Sequence, residues 1–432
     1  MTPAARLLAA VELVSSVEAA TRKPADAVAN AFFRDRRFIG SGDRRAVSER
    51  AWTVLRARRR LGWWLARAGG AQTPRLLVAA SLLLEGWTLD GVVQSYSGGQ
   101  YAPSVLTGAE KAGLRGIEHH GLDHPDMPLA IRLEVPDWVV PHLQARFGDA
   151  LGPEMAAMGT PAPLDLRVNL LTGTRDDAKA ALALESIEST FTPLSPWGLR
   201  IEGRRPVSTG KAFQSGLVEI QDEGSQLVAA MVGAEPGMRV ADWCAGAGGK
   251  TLAMAMTMRN QGHIVACDVS APRLEGAVKR LRRAGVHNVE QYLIEATGKW
   301  VKRRAGTFDR VLVDAPCTGT GTWRRNPDAR LRLKPTDLSE LVVKQAAILR
   351  RAAELVRKGG RLVYATCSLL LEENEMQIAS FLAEHPDFRP VPVSTAWPDA
   401  PANCDGEALR LTPLQHGTDG FFAAALERLG TS

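Results

Sequence analysis

The chain reads as an α/β protein whose C-terminal half is a doubly wound, mostly parallel sheet, and three observations predict it. From residue 221 onward short apolar runs alternate with helical stretches, the pattern of repeated strand–helix units. A glycine-rich turn, ADWCAGAGGKT (241–251), joins the first of these strands to its helix. Two further runs, FDRVLVDA (308–315) and RLVYATC (361–367), are rich in Val and Leu without alternation, as strands covered on both faces are.

A length of 432 residues suits about three domains. Residues 1–125 predict an all-α domain. RLLAAVELVSSVEAA, ADAVANAFFRD, DRRAVSERAWTVLRARRRLGWWLARAG and PRLLVAASLLLEGW each place apolar residues three and four apart. Residues 115–128 read as a linker, and His119, His120 and His124 there lack the Cys or carboxylate partners of a metal site. Residues 129–220 predict a small α+β module: helices over PDWVVPHLQARFG and RDDAKAALALES, strands over LDLRVNLL, GLRIEG and LVEIQD. Its Arg167 and the pair Arg204–Arg205 suit a backbone phosphate or solvent.

Residues 221–432 carry the sheet. Helices EGSQLVAAMVGA, KTLAMAMTMRNQ, PRLEGAVKRLRRAG and SELVVKQAAILRRAAELVRKGG alternate with strands RVADWCA, HIVACDV, VEQYLIEA and the two cysteine-bearing runs. After EENEMQIASFLAEH, the runs ALRLTPL and GFFAAALERL predict a closing antiparallel pair.

Composition excludes several classes. No apolar stretch approaches the roughly 20 residues of a bilayer span, and Glu12 and Glu18 interrupt the apolar face that a presequence needs. Five cysteines with no C-x-x-C pair predict neither a disulfide framework nor a zinc site, so a reducing cytoplasm is expected. The net charge is +6, yet residues 1–70 alone hold 14 Lys/Arg against 6 Asp/Glu. Arg36, Arg37, Arg58 and Arg59 belong to this basic segment, which predicts an anionic polymer such as a nucleic acid as partner or else a solvated helical face.

The glycine turn lets backbone approach a ligand closely. Cys244, Ala245, Gly246, Ala247, Gly248, Gly249 and Lys250 form it, and the helix that follows opens with unpaired N–H groups. A phosphate-binding P-loop is the rival reading, since GGKT matches its end, but that motif needs glycine where Cys244 stands. Asp268 ends the next strand, 20 residues past Gly248, as a ribose-binding carboxylate does. Together they predict an adenosine-containing cofactor, a dinucleotide or S-adenosylmethionine, with Glu295 on the third strand reaching the adenine amino group.

Cys317 and Cys367 each follow a predicted buried strand, with Asp314 and Pro316 beside the first. If the strands are neighbours, about 4.8 Å apart, both thiols reach one pocket at the ligand-binding edge. Carbon 5 of a pyrimidine becomes nucleophilic once a thiolate adds to carbon 6, and an acid beside the ring accepts the developing charge. Asp314 is placed for that edge. Cys267 and Cys404 read as small buried hydrophobes. Arg324, Arg325 and Arg330 suit phosphates around a flipped nucleotide, or ion pairs with Asp328 and nearby acids.

QDEGSQLVA, DWCAGAGGKT, ACDVS, FDRVLVDAPCTGTGTWRRNPD, LVYATCSLLLEENE and DGFFAA resemble the RsmB (Fmu)/Nop/Sun family of RNA 5-methylcytosine methyltransferases, over most of 221–432. The helical N-terminus resembles the NusB-like RNA-binding domain of the RsmB branch at the level of pattern, and 129–220 that branch's intervening domain. The resemblance implies a Rossmann-like class I methyltransferase domain. It implies S-adenosylmethionine held by residues 244–250, Asp268, Glu295 and Asp314, with Cys367 as nucleophile and Cys317 assisting release of the methylated RNA. It implies 16S ribosomal RNA, free or in an early small-subunit particle, as substrate; a metal-free monomer away from membranes is expected. Two departures stand out: Gly246-Ala247 where the family has Ala-Pro, and Glu295 where it has Asp. The alternatives are a non-catalytic RNA-binding scaffold for ribosome assembly, to which two thiols would be of no use, and a P-loop nucleotidase.

Overall fold

The computed structural model describes the chain apart from residues 22, 204, 296, 297, 431 and 432. The chain forms two compact units, residues 1–160 with 323–335 and residues 161–322 with 336–432.

The first unit is helical. Helices Pro3–Ala19, Ala25–Asp35, Ser41–Arg56, Arg58–Arg67 and Pro74–Leu84 enclose a core that includes Leu13, Val47, Leu55, Leu61 and Leu77. Thr2 accepts from the Ala5 N–H and Pro3 opens the first helix where no donor is needed. The sequence predicts one helix over 43–69, but it breaks at Ala57, where φ is −109° and ψ is 18°. Buried Glu134 is the reason. Its carboxylate accepts from the N–H groups of Arg59 and Arg60, each at 2.9 Å, and from Arg60 Nε at 3.0 Å, capping the free donors of the second helix.

That cap also ties residues 129–160 to the helical unit, whereas the sequence groups them with the strands that follow. Residues 323–335 belong to this unit as well: Asp328 accepts from the Ala25 N–H at 3.1 Å, and Trp138 Nε1 donates to Leu333 at 3.4 Å. The predicted histidine linker carries aromatic packing, with His120 and His124 lying 4.8 and 5.2 Å from Trp64. Among the described residues no helix is long and apolar enough to cross a membrane.

The second unit holds two sheets. In the smaller, β1 (Leu164–Val168), β2 (Ser189–Phe191), β3 (Gly198–Ile201) and β4 (Val218–Ile220) pair antiparallel in the order β2-β3-β1-β4. Helix Arg175–Leu184 covers them through Ala178 and Leu182.

The larger sheet contains β5 (Arg239–Asp242), β6 (His263–Asp268), β7 (Val289–Leu293), β8 (Phe308–Asp314), β9 (Val356–Thr366), β10 (Phe388–Val391), β11 (Leu409–Leu411) and β12 (Phe421–Arg428). Its order is β10-β12-β9-β8-β5-β6-β7, with β11 beside β12. Strands β5 to β9 run parallel, and β12 is antiparallel to β9 and β11, as the Rossmann-like reading requires. The order of the strands reverses at β5, between β6 and β8. A crevice at the carboxyl edge follows from that switch. One predicted helix is shortened: it spans Pro335–Ala353, and buried Val356 already begins the strand, pairing with Phe308.

Candidate active site

The crevice is a cavity of about 610 Å³ at the ends of β5, β6 and β8. Its floor is the glycine turn. Gly246 and Gly248 hold φ of +54° and +78°, conformations open to glycine, and Gly248 caps helix Gly249–Thr257. A Cβ at Gly248 would stand 3.1 Å from that of Ala277, so helix Ala271–Arg283 packs close because the position is glycine. Asp268, at the end of β6, accepts from the Gly246 N–H and the Ser270 N–H, each at 2.8 Å. Its carboxylate thus shapes the turn, and it lines the cavity.

Further polar groups hold the loop. Arg167 is buried, donating to Gly249 O at 2.7 Å and to Gln221 Oε1, while Arg280 donates to Ala247 O at 2.7 Å. Burial pushes the Arg167 guanidinium down to about 10. The sequence reading of Arg167 as facing a phosphate or solvent is therefore corrected, because the side chain is buried and its Nη1 bonds Gly249 and Gln221 inside the unit; Arg204 lies outside the described residues.

Asp242, at the end of β5, is buried, and burial pushes its carboxyl up to about 7 against the Thr251 hydroxyl 2.6 Å away. Its Oδ1 is buried with no partner among the described residues. Thr251 is thereby turned inward to a carboxylate, away from the metal that a P-loop threonine binds.

Asp314, at the end of β8, receives Lys250 Nζ at 2.6 Å. Burial opposes the Lys250 charge, but the Asp314 carboxylate outweighs it and the ammonium is raised. The lining continues to Pro316, one residue before Cys317. Strands β8 and β9 are adjacent, with Asp314 level with Ala365, and the sulfurs of Cys317 and Cys367 lie 3.4 Å apart. The neighbouring Cys367 sulfur, then burial, push the Cys317 thiol well up.

Of the residues singled out from the sequence, Cys244, Ala245, Gly246, Ala247, Gly249, Lys250, Asp268 and Asp314 line the cavity, while Gly248 acts through the turn. Burial pushes the Cys244 thiol up. Glu295 is not brought in: β7 ends at Leu293, Ile294 provides the lining, and Glu295 is exposed. Cys267 and Cys404 are buried, as read. Sequence reasoning missed Lys344, Ala347, Ile348 and Arg351, which line the opposite wall. Their spacing of three, four and seven residues marks one helical face and was legible.

The arginines proposed for RNA fare unequally. Arg324 and Arg330 are buried at 3% and 1% exposure, and Arg330 donates to the carbonyls of Glu134 and Trp323 at 3.4 and 3.5 Å. Burial pushes Arg330 down to about 10. Arg330 therefore serves the interior of the helical unit, because residues 323–335 fold into it, and Arg324 is buried as well. Arg58 bonds Glu18 at 2.5 Å, Arg59 pairs with Asp137 at 2.7 Å, and Arg36 pairs with Glu12 at 3.2 Å and covers Phe32. Arg325 is half-buried and Arg37 is exposed.

Residues 229–427 match the family model described as 16S rRNA methyltransferase RsmB/F, and 135–208 match the ferredoxin-like domain described for RsmF/B-like methyltransferases. The chain is 33% identical over 414 residues to a probable ribosomal RNA small subunit methyltransferase B of Synechocystis sp., covering 89% of this chain and 91% of that one. It is 32% identical to the probable counterpart of Bacillus subtilis, covering 76% of this chain and 74% of that one. Among solved structures, PH0851 superimposes with a TM-score of 0.80 at 26% identity over 99% of both chains. A methyltransferase homolog from Pyrococcus horikoshii gives 0.60 at 29% identity over 69% of this chain and 97% of that one. The chain belongs to the RsmB/F family of S-adenosylmethionine-dependent ribosomal RNA methyltransferases.

Proposed function

We propose that the protein methylates carbon 5 of a cytosine in 16S ribosomal RNA through a transient bond between Cys367 and the ring. The observation that carries this reading is the pair of sulfurs 3.4 Å apart, one on Cys317 next to cavity-lining Pro316 and the other, Cys367, near enough to cavity-lining Lys250 for its charge to act on it. The cavity suits a nucleoside bearing an amino-acid tail: about 610 Å³, with Val269, Ile294 and Ile348 as apolar walls and Asp268 at a strand end. The turn 244–250, Asp268 and Asp314 would hold S-adenosylmethionine. When bound, it supplies an electrophilic methyl group.

The chain's own residues do the rest. Cys367, as thiolate, adds to carbon 6 and drives electron density to carbon 5. Asp314, fixed by Lys250, faces the cytosine edge where charge develops. Once carbon 5 carries its new substituent, a base removes its proton and the S–C bond breaks, returning the electron pair to Cys367. Cys317 keeps its proton and stands beside the leaving sulfur, as a group that assists release should. The helical unit, read as NusB-like, is assigned to RNA binding, with Arg37 at its surface, in a cytoplasmic monomer acting on free RNA or an early small-subunit particle.

Cys367→Ser is expected to abolish methyl transfer while RNA affinity survives; retained turnover would remove Cys367 from its role. Bisulfite mapping of ribosomal RNA from cells with and without the gene should lose one protected cytosine.

A further inference from the structure

Glu373 is fully buried, and among the described residues the donors its carboxylate meets are neutral. Oε1 accepts from the Thr318 N–H at 2.8 Å and from Gln345 Nε2 at 2.9 Å; Oε2 accepts from the Thr318 hydroxyl at 2.5 Å and from the Ser368 hydroxyl. Desolvating a carboxylate is costly, so four bonds converging there make a cluster that is fully satisfied or strongly destabilising. The partners are not scattered. Thr318 follows Cys317 and Ser368 follows Cys367. Gln345 also donates to Pro316 O at 2.9 Å, on the other side of Cys317. Neighbouring Asn374 completes the grip, accepting from the Thr366 hydroxyl at 2.5 Å and donating to Ser368 O at 2.9 Å. The residues flanking each cysteine are thus bound, while the two thiols meet each other.

We infer that Glu373 is a positioning residue that holds the loop carrying Cys317 against the turn carrying Cys367, and so sets the spacing of the two sulfurs. This rests on the covalent reading of the site for its catalytic consequence, but the spacing itself is testable without RNA. A trivalent phenylarsenical bridges two thiols held this close: two S–H bonds break, two As–S bonds form, and the arsenic-bound oxygen leaves as water.

The full chain is titrated with phenylarsine oxide while free thiols are counted, and in parallel its single-turnover methylation and S-adenosylmethionine affinity are measured. Wild type should lose two thiols per arsenical. Glu373→Ala should weaken bridging at least tenfold and slow turnover about 100-fold, the scale of a misplacement near 1 Å, with cofactor affinity unchanged. Glu373→Gln should restore both, because its amide oxygen can take the two N–H donors while the hydroxyls rotate to accept. Thr318→Val, which removes one donor from a polar cluster without changing shape, should fall between and covers the case in which Glu373→Ala does not fold. Wild-type bridging and turnover in Glu373→Ala, or in Thr318→Val where the first does not fold, would overturn the inference. Loss in both Glu373→Ala and Glu373→Gln alike would also count against it. Should Cys317→Ala form no covalent RNA adduct while methyl transfer proceeds at full rate and the arsenical results hold, the covalent reading fails and the positioning role stands.

Discussion

Replacing Asp242 by asparagine should stabilise the protein at alkaline pH and do little in acid. Burial holds this carboxyl at about 7 in the folded chain against 3.8 for the ordinary group. Below pH 3.8 it is protonated in both folded and unfolded chains and costs nothing. As pH rises the unfolded chain releases the proton first, so folding loses stability through the window from 3.8 to about 7. At about 1.4 kcal/mol per pH unit, the cost at pH 8 is slightly more than ~4 kcal/mol. The amide that replaces the carboxylate has no charge to desolvate, and its oxygen can still accept from Thr251. For a unit of this size the gain corresponds to roughly 10 °C in melting temperature. Thermal unfolding of both chains from pH 4 to pH 8 checks this: the curves should converge at the acid end and separate toward pH 8. Parallel curves, or a difference largest at pH 4, would refute the argument that Asp242 is a desolvated carboxylate.

Two other perturbations follow from the same geometry. Gly248→Ala forces an L-residue into φ of +78° and sets a methyl 3.1 Å from Ala277. A cost of about 1–2 kcal/mol should appear as at least a several-fold loss of S-adenosylmethionine affinity by calorimetry, whereas unchanged affinity would mean that the turn does not shape the site. Arg37 and Arg330 should separate in RNA binding: Arg37→Ala should shallow the salt dependence by about one phosphate contact. Arg330→Met should leave that slope alone, and the opposite pattern would contradict the assignment of surface and interior.

The parallel sheet was legible because buried strands and amphipathic helices alternate with local signals, and the two cysteines met because both end adjacent strands. What escaped depends on partners distant in sequence. The break at Ala57 is made by Glu134, 77 residues on in the chain, and no local propensity at Arg58–Arg60 announces it. For Arg324 and Arg330, which follow a catalytic-looking strand, the sequence left phosphates and ion pairs with nearby acids both open, and only the fold shows that their segment joins the helical unit and that both are buried. Glu295 failed by register: two residues past the end of β7, it gives way to Ile294 at the cavity. Arg167 is the converse case, a strand arginine whose use became clear only when Gly249 and Gln221 stood beside it.

The most direct measurement is the identity of the residue that bonds RNA. Cys317→Ala chain is incubated with 16S ribosomal RNA and S-adenosylmethionine, digested with nuclease and protease, and read by mass spectrometry. A 5-methylcytidine adduct on the peptide containing Cys367 is the expected result. An adduct on another side chain, or none with methyl transfer proceeding at full rate, would contradict the account.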